Sequence, residues 1–326
     1  MQIPPQFARL GSLLNKPIDD PEVVALGFKP PFLSFKQRMG ARATLGQALR
    51  MWPQYTGVST GGMQNHSGNS VYHALIANVT KRYSNGLSLV ADYVWSKLLT
   101  DADSSEPWIA GVVGSGGGAG TAQDHWNRRV EKAYGVLDMP HMFKLTGLYE
   151  LPFGKTRKYL SSGILGHVLG PWSVSAYIYG QSGYPLGVTD SGYSNFLSGG
   201  TARPNLTSHD WRAPVGGDRF DPHREPFLSR NPFQRRTNPT IDPFGNAPRL
   251  IGATRSPGRF RENISITRTF AVMERFKMDF RWEIYDIFNL KTWNNPVSAD
   301  LANSQFGIAT GASGNRTMQL GLKLVF

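Results

Sequence analysis

The clearest regularity along the chain is an alternation of apolar and polar side chains with a period of two, the signature of a strand with two unlike faces. It is sharpest where Phe276, Met278, Phe280, Trp282 and Ile284 alternate with Lys277, Asp279, Arg281, Glu283 and Tyr285. A helix would spread those four charges around its axis. The same rhythm puts Val71, His73, Leu75, Ala77 and Val79 on one face of a first strand, and Leu87, Leu89, Ala91, Tyr93 and Trp95 on one face of a second. Between them Ser84, Asn85 and Gly86 supply tight-turn chemistry, since Asn and Gly tolerate positive φ. A third strand carries Phe143, Leu145, Gly147, Tyr149 and Leu151, and a fourth Trp172, Val174, Ala176 and Ile178. The last carries Met318, Leu320, Leu322, Leu324 and Phe326. With a fifth run, the pattern predicts seven strands near 71–83, 87–97, 141–151, 171–188, 260–270, 276–288 and 316–326.

The connections alternate in length. They are short after the first and fifth strands, moderate after the third, medium after the sixth, and long after the second and fourth. The longest, roughly 189–259, is dense in Pro, Arg, Asn and Asp without sustained periodicity. In a compact soluble domain so long a loop would count against the strand assignment. In an outer-membrane barrel it is expected, because extracellular loops are long and periplasmic turns short.

No apolar run is long enough for a transmembrane helix. A chain of this kind can span lipid only as a barrel, which satisfies all backbone polar groups between strands. Asp92 in mid-strand agrees, being costly against lipid and tolerated against a wet lumen. The expected fold is therefore all-β, a transmembrane antiparallel barrel segment of about seven strands with long extracellular loops. Residues 1–70 read as a mostly irregular extracellular loop region and 71–326 as barrel strands. The expected lipid-facing set is Phe276, Met278, Phe280, Trp282, Ile284, Met318, Leu320 and Leu322, with Tyr83, Trp95, Trp172 and Phe276 near strand ends as an interfacial girdle. Loop parity starts the first strand outside and ends the seventh in the periplasm. Seven strands leave two open edges, which predicts a longer parent.

Composition narrows the chemistry. Cysteine is absent, which removes disulfides, thiol nucleophiles and Cys metal sites. The net charge of +12 is spread along the chain without a Lys/Arg block, so nucleic acid is not an expected partner, whereas lipopolysaccharide phosphates are. The acidic stretch Asp101, Asp103, Glu106 lacks the glycine and distal Glu of an EF-hand. Gly114 to Gly120 has no following Lys-Ser/Thr and reads as flexible loop. The seven histidines show no metal-ligand spacing and no nucleophile elbow is present. No enzyme activity, cofactor or metal is expected. Residues 1–14 lack a secretory signal, which points either to a truncated gene or to a longer parent that has been cut.

Several segments, in order, resemble the Oar-like TonB-dependent receptors. They are Gln47-Ala-Leu-Arg-Met-Trp-Pro-Gln-Tyr55, Asn69-Ser-Val-Tyr-His-Ala-Leu75, Lys81-Arg-Tyr-Ser-Asn-Gly-Leu87, Tyr93-Val-Trp-Ser-Lys97, Tyr149-Glu-Leu-Pro-Phe-Gly-Lys155, Gly170-Pro-Trp172 and Phe280-Arg-Trp-Glu-Ile-Tyr-Asp-Ile-Phe-Asn289. The resemblance implies the closing part of a barrel of about 22 strands, located in the outer membrane and coupled to TonB only through an N-terminal part outside this sequence. The final eight residues look like the signal read by the barrel assembly machinery, with Gln319, Gly321, Leu324 and Phe326 as its elements. Two other functions stay open, a passive barrel or adhesin binding glycans through its loops, and a soluble secreted carbohydrate-binding domain.

Overall fold

The computed structural model describes the chain apart from residues 1, 58–67, 103–122, 155–156, 160–162, 164–165, 167–169, 194–195, 198–201, 212, 214–220, 222, 274–275 and 295–297. Seven long strands form one antiparallel sheet in chain order: β1 (Ser70–Ser84), β2 (Leu87–Thr100), β3 (His141–Glu150), β4 (Ser173–Gln181), β5 (Arg259–Met273), β6 (Phe276–Tyr285) and β7 (Thr317–Val325). A short piece, Ala133–Tyr134, pairs with the end of β2. Among the described residues no helix is long and apolar enough to cross a membrane, and the outer edges of β1 and β7 have no strand partner.

Asn85 and Gly86 take φ values of 51° and 80°, the paired positive angles of a two-residue type I′ hairpin. Glycine is required at 86 for a second reason. A Cβ there would sit 2.8 Å from the carbonyl oxygen of Glu150, whose own N–H donates to the Gly86 carbonyl at 2.7 Å. One turn thus fixes the β1–β2 register and the end of β3.

Two strand ends depart from the alternation. β4 stops at Gln181 instead of running on toward 188, because Gly183 passes so close to Ser256 that a Cβ would lie 1.7 Å from the Ser256 carbonyl oxygen. Pro185–Leu186 then turns away to pair with Ile251–Arg255. β6 stops at Tyr285 rather than 288, since Asp286 and Asn289 both adopt positive φ and reverse the chain.

The expectation of mostly irregular chain before β1 is corrected. Residues 2–57 carry two 3-10 stretches, Pro5–Asn15 with a kink at Gly11 and Gly40–Arg42, and three short α-helices, α1 (Pro21–Ala25), α2 (Phe35–Met39) and α3 (Leu45–Ala48). Asp20 and Thr44 accept hydrogen bonds from the Glu22 and Gln47 N–H groups as N-caps. Ile3, Leu14, Ile18, Val23, Phe35 and Leu45 bury together with Leu197 from the β4–β5 connection. A second cluster joins Leu186, Val188, Leu228, Phe233 and Ile251 of that connection to Leu301 and Phe306 of the β6–β7 connection. The long connections therefore fold into a cap with its own cores. Their apolar residues have no strand or helix period because each short piece contributes only one or two of them.

Candidate functional site: a two-faced strand wall under a loop cap

Because side chains alternate along a strand, the register assigns every wall residue to one of two faces. One face is apolar. The row Leu89, Gly147, Ala176, Ile264, Ile284, Met318 crosses from β2 to β7, and the next row is Tyr149, Val174, Ile266, Trp282, Leu320. Phe280 lies beside Leu322 and Met278 beside Leu324. Trp172 meets Phe280 and Phe270 edge-on, with centroids 5.8 and 6.3 Å apart. Two strand glycines are covered by neighbouring side chains, Gly147 by Leu89 and Gly180 by the Phe260 ring.

The other face is polar. Asn78 donates to Asp92 at 2.6 Å, Asp92 stands opposite Lys144, Lys144 lies over the Tyr179 ring, and Tyr179 pairs in register with Arg261. This polar row crosses five strands, β1 to β5. Toward β7, Thr269 donates to Asp279 at 2.6 Å, and Asp279 faces Lys323. A groove of about 440 Å3 crosses this face from β2 to β6, lined by Ser88, Thr146, Tyr177 and Glu283 but also by Val90 and Leu148, so that its floor mixes polar groups with apolar surface. The polar face is therefore the concave one.

The residues singled out from sequence fall into place by register. Phe276, Met278, Phe280, Trp282, Ile284, Met318, Leu320 and Leu322 all share the apolar face. Ile284 departs from its companions, being only 5% exposed, whereas Leu320 is 70% exposed. It lies at the strand end where the chain reverses and the Phe288 N–H donates to Glu262 Oε1 at 3.0 Å, so it is packed by protein and is not available to a surrounding solvent or lipid. Gln319 and Gly321 lie on the polar face opposite Glu283 and Arg281, and Leu324 on the apolar face. Phe326 is 95% exposed beyond the end of β7.

Two buried charged residues on the apolar face escaped the sequence reasoning. Glu262 is 1% exposed beneath the reversal after β6, and Arg268 is sandwiched between the Trp172 and Phe270 rings at 5.3 and 4.2 Å. Their signal was visible, since both interrupt the apolar positions of the run from Phe260 to Phe270.

The cap is held by buried polar chemistry. Glu131, 1% exposed, accepts through Oε1 from the N–H groups of Gln123 and Asp124 and from Arg203 Nη2 at 2.6 Å. Gln123 ties the same point to Gly245 and to Gln2, and Arg249 donates to the carbonyls of Glu131 and Thr100. Five separate stretches of chain, around Gln2, Thr100, 123–131, Arg203 and 245–249, are thus tied together about Glu131. Burial pushes the Arg203 guanidinium below its ordinary value, which the adjacent Glu131 counteracts. A second clamp joins Arg255 to Asp138 at 2.6 Å, and Asp138 accepts from the Leu98 N–H, locking the cap to β2.

His125 borders this network, its backbone N–H donating to Gln2 Oε1 at 2.8 Å while its side chain stays exposed, and partial desolvation lowers its pKa against the attraction of Glu131 and Asp124. An imidazole whose folded pKa lies below the unfolded value near 6.5 gives stability that is whole above that value and is lost as pH falls through it. The cap should therefore loosen on acidification. Comparing protease resistance of the cap at pH 7.5 and 5.5 checks this, and the pH difference should shrink in His125→Gln.

Of the acidic stretch, Asp101 accepts from the Asn69 N–H and pairs with Arg128 at 3.3 Å, while Asp103, Glu106 and the Gly114 to Gly120 segment lie outside the described residues. Among the described residues no group of three His or acidic side chains is placed to hold a metal. A family model described as outer membrane beta barrel domain matches residues 14–319. No curated protein matches the chain.

Proposed function

Since the chain belongs to the outer membrane beta barrel domain family, we propose that it forms the closing wall of an Oar-like, TonB-dependent transport barrel that passes a solute across the outer membrane. It is a protein of the outer membrane. In this reading the apolar convex face meets lipid and the concave polar face lines the solute path. The capped end, where the long connections meet, lies outside the cell, and Phe326 lies in the periplasm. The observation that carries the reading is the register-matched division of seven strands into an apolar face and a grooved polar face. A soluble sheet exposing Leu320, Leu322 and Trp95 on one broad face would aggregate.

Gln319, Gly321, Leu324 and Phe326 serve the barrel assembly machinery in this account. The surroundings of Gly321 support that role, because a Cβ there would meet nothing closer than 3.8 Å. Packing does not demand glycine at this position. Coupling to TonB would run through an N-terminal part of a longer parent protein, and neither a catalytic group nor a cofactor is assigned to the wall.

Planar-bilayer recording of the natural full-length protein tests the transport reading. A barrel that holds a plug should show no steady ion conductance, and uptake in cells should require an energised inner membrane. Steady conductance without energy input would favour a passive barrel or a loop-based adhesin.

A further inference from the structure

At the capped end of the wall the apolar face changes character. His73 and Lys97 are cross-strand partners there, and the next pair toward mid-strand is Leu75 with Trp95, 59% and 56% exposed. Tyr134, beside the end of β2, closes one side. Its ring lies so flat on Gly252 that a Cβ at 252 would be 2.3 Å from the ring carbons. Lys97 Nζ stands 5.3 Å from the Tyr134 centroid and the Arg255 guanidinium 5.6 Å from it. These residues line a cavity of about 640 Å3.

Two cations share one ring here, and the one carboxylate lining the cavity, Asp138, forms its ion pair with Arg255 and accepts from the Leu98 N–H. No described carboxylate forms an ion pair with Lys97. The cavity is thus net positive, and its open side continues into exposed Leu75 and Trp95. A cationic pocket beside an apolar strip suits an amphiphile with an anionic head. Its volume lies within the range of small-molecule sites and exceeds what a bare ion needs.

We infer that this cavity holds the phosphate-bearing headgroup of an outer-leaflet glycolipid, with the acyl chains lying along Leu75 and Trp95. Lys97 Nζ donates a charge-assisted hydrogen bond to a phosphate oxygen. Arg255 is a positioning residue. Its bonds to the carbonyls of Gly252, Asp138 and Gly183 hold Tyr134 and the cavity wall in place. Trp95 supplies the amphipathic ring that a membrane interface favours. The inference rests on the proposed orientation, with the apolar face in lipid and the capped end outside.

The test uses the natural full-length protein in phosphatidylcholine nanodiscs containing traces of diphosphorylated lipid A, with bound lipid read by native mass spectrometry. Lys97→Gln should weaken binding about tenfold, the loss of one charge-assisted contact. Lys97→Arg should retain binding, and Lys81→Gln, on the same face at the opposite end of β1, should leave it unchanged. Dephosphorylated lipid A should bind wild type and Lys97→Gln equally weakly, and millimolar inorganic phosphate should not displace the lipid. Undiminished lipid A binding by Lys97→Gln, an equal loss for the dephosphorylated lipid, or displacement by free phosphate would overturn the inference. A fluorophore at Trp282→Cys separates the two claims. Lipid contact at 282 with no effect of Lys97→Gln defeats this site alone, whereas aqueous contact at 282 defeats the orientation.

Discussion

Replacing Glu131 with alanine is expected to destabilise the loop cap by about 3–5 kcal/mol, the usual cost of removing one partner from a buried charge pair. Arg203, only 4% exposed, would be left as an unanswered cation, and the N–H groups of Gln123 and Asp124 would lose their acceptor. Protease cleavage within 123–131 and 245–249 should rise sharply while the strand wall keeps its far-ultraviolet circular dichroism. The double change Glu131→Met with Arg203→Met should recover much of the loss, because a well-packed apolar pair needs no desolvation of charge. A cap that resists protease as well in Glu131→Ala as in wild type would show that its apolar cores, around Phe35 and Phe306, suffice without the network.

The second large effect is expected on the apolar face. Trp282→Arg puts a guanidinium beside Ile266 and Leu320 in the middle of β6, at a cost of about 2–4 kcal/mol if that point lies at the bilayer midplane. The folded, outer-membrane fraction of the protein should fall accordingly. One residue away, Arg281 already carries the same group on the polar face, and Arg281→Lys should assemble normally. Equal assembly of Trp282→Arg and wild type in fractionated membranes would remove lipid from that face.

Why was the wall legible in sequence and the cap not? Along β6 the period of two is nearly perfect, because one face is uniformly apolar and the other uniformly charged from Lys277 to Glu283. Period alone then assigns both faces. The Asn85-Gly86 turn fixed the first register by the same local logic, since both residues sit at positive φ. The cap depends on contacts between residues far apart in the chain, such as Gln2 with Gln123 and Arg203 with Glu131, and no local pattern encodes them. Ile284 failed for a related reason. Its place in the alternation is right, but the reversal after Tyr285 that buries it turns on the conformations of Asp286 and Asn289. Glu262 and Arg268 could have been found as breaks in an apolar face, although what neutralises their cost, a backbone N–H and two aromatic rings, comes from other segments.

The central claim is that alternate residues of these strands see lipid and water. The chain contains no cysteine, so single cysteines can be introduced from 277 to 283 without a competing thiol from this chain. Each is labelled with an environment-sensitive fluorophore in the natural protein in membranes, and quenching by lipid-borne and by aqueous nitroxides is compared. The account predicts lipid quenching at 278, 280 and 282 and aqueous quenching at 277, 279, 281 and 283. Uniform quenching along the segment, or the reverse alternation, would contradict it.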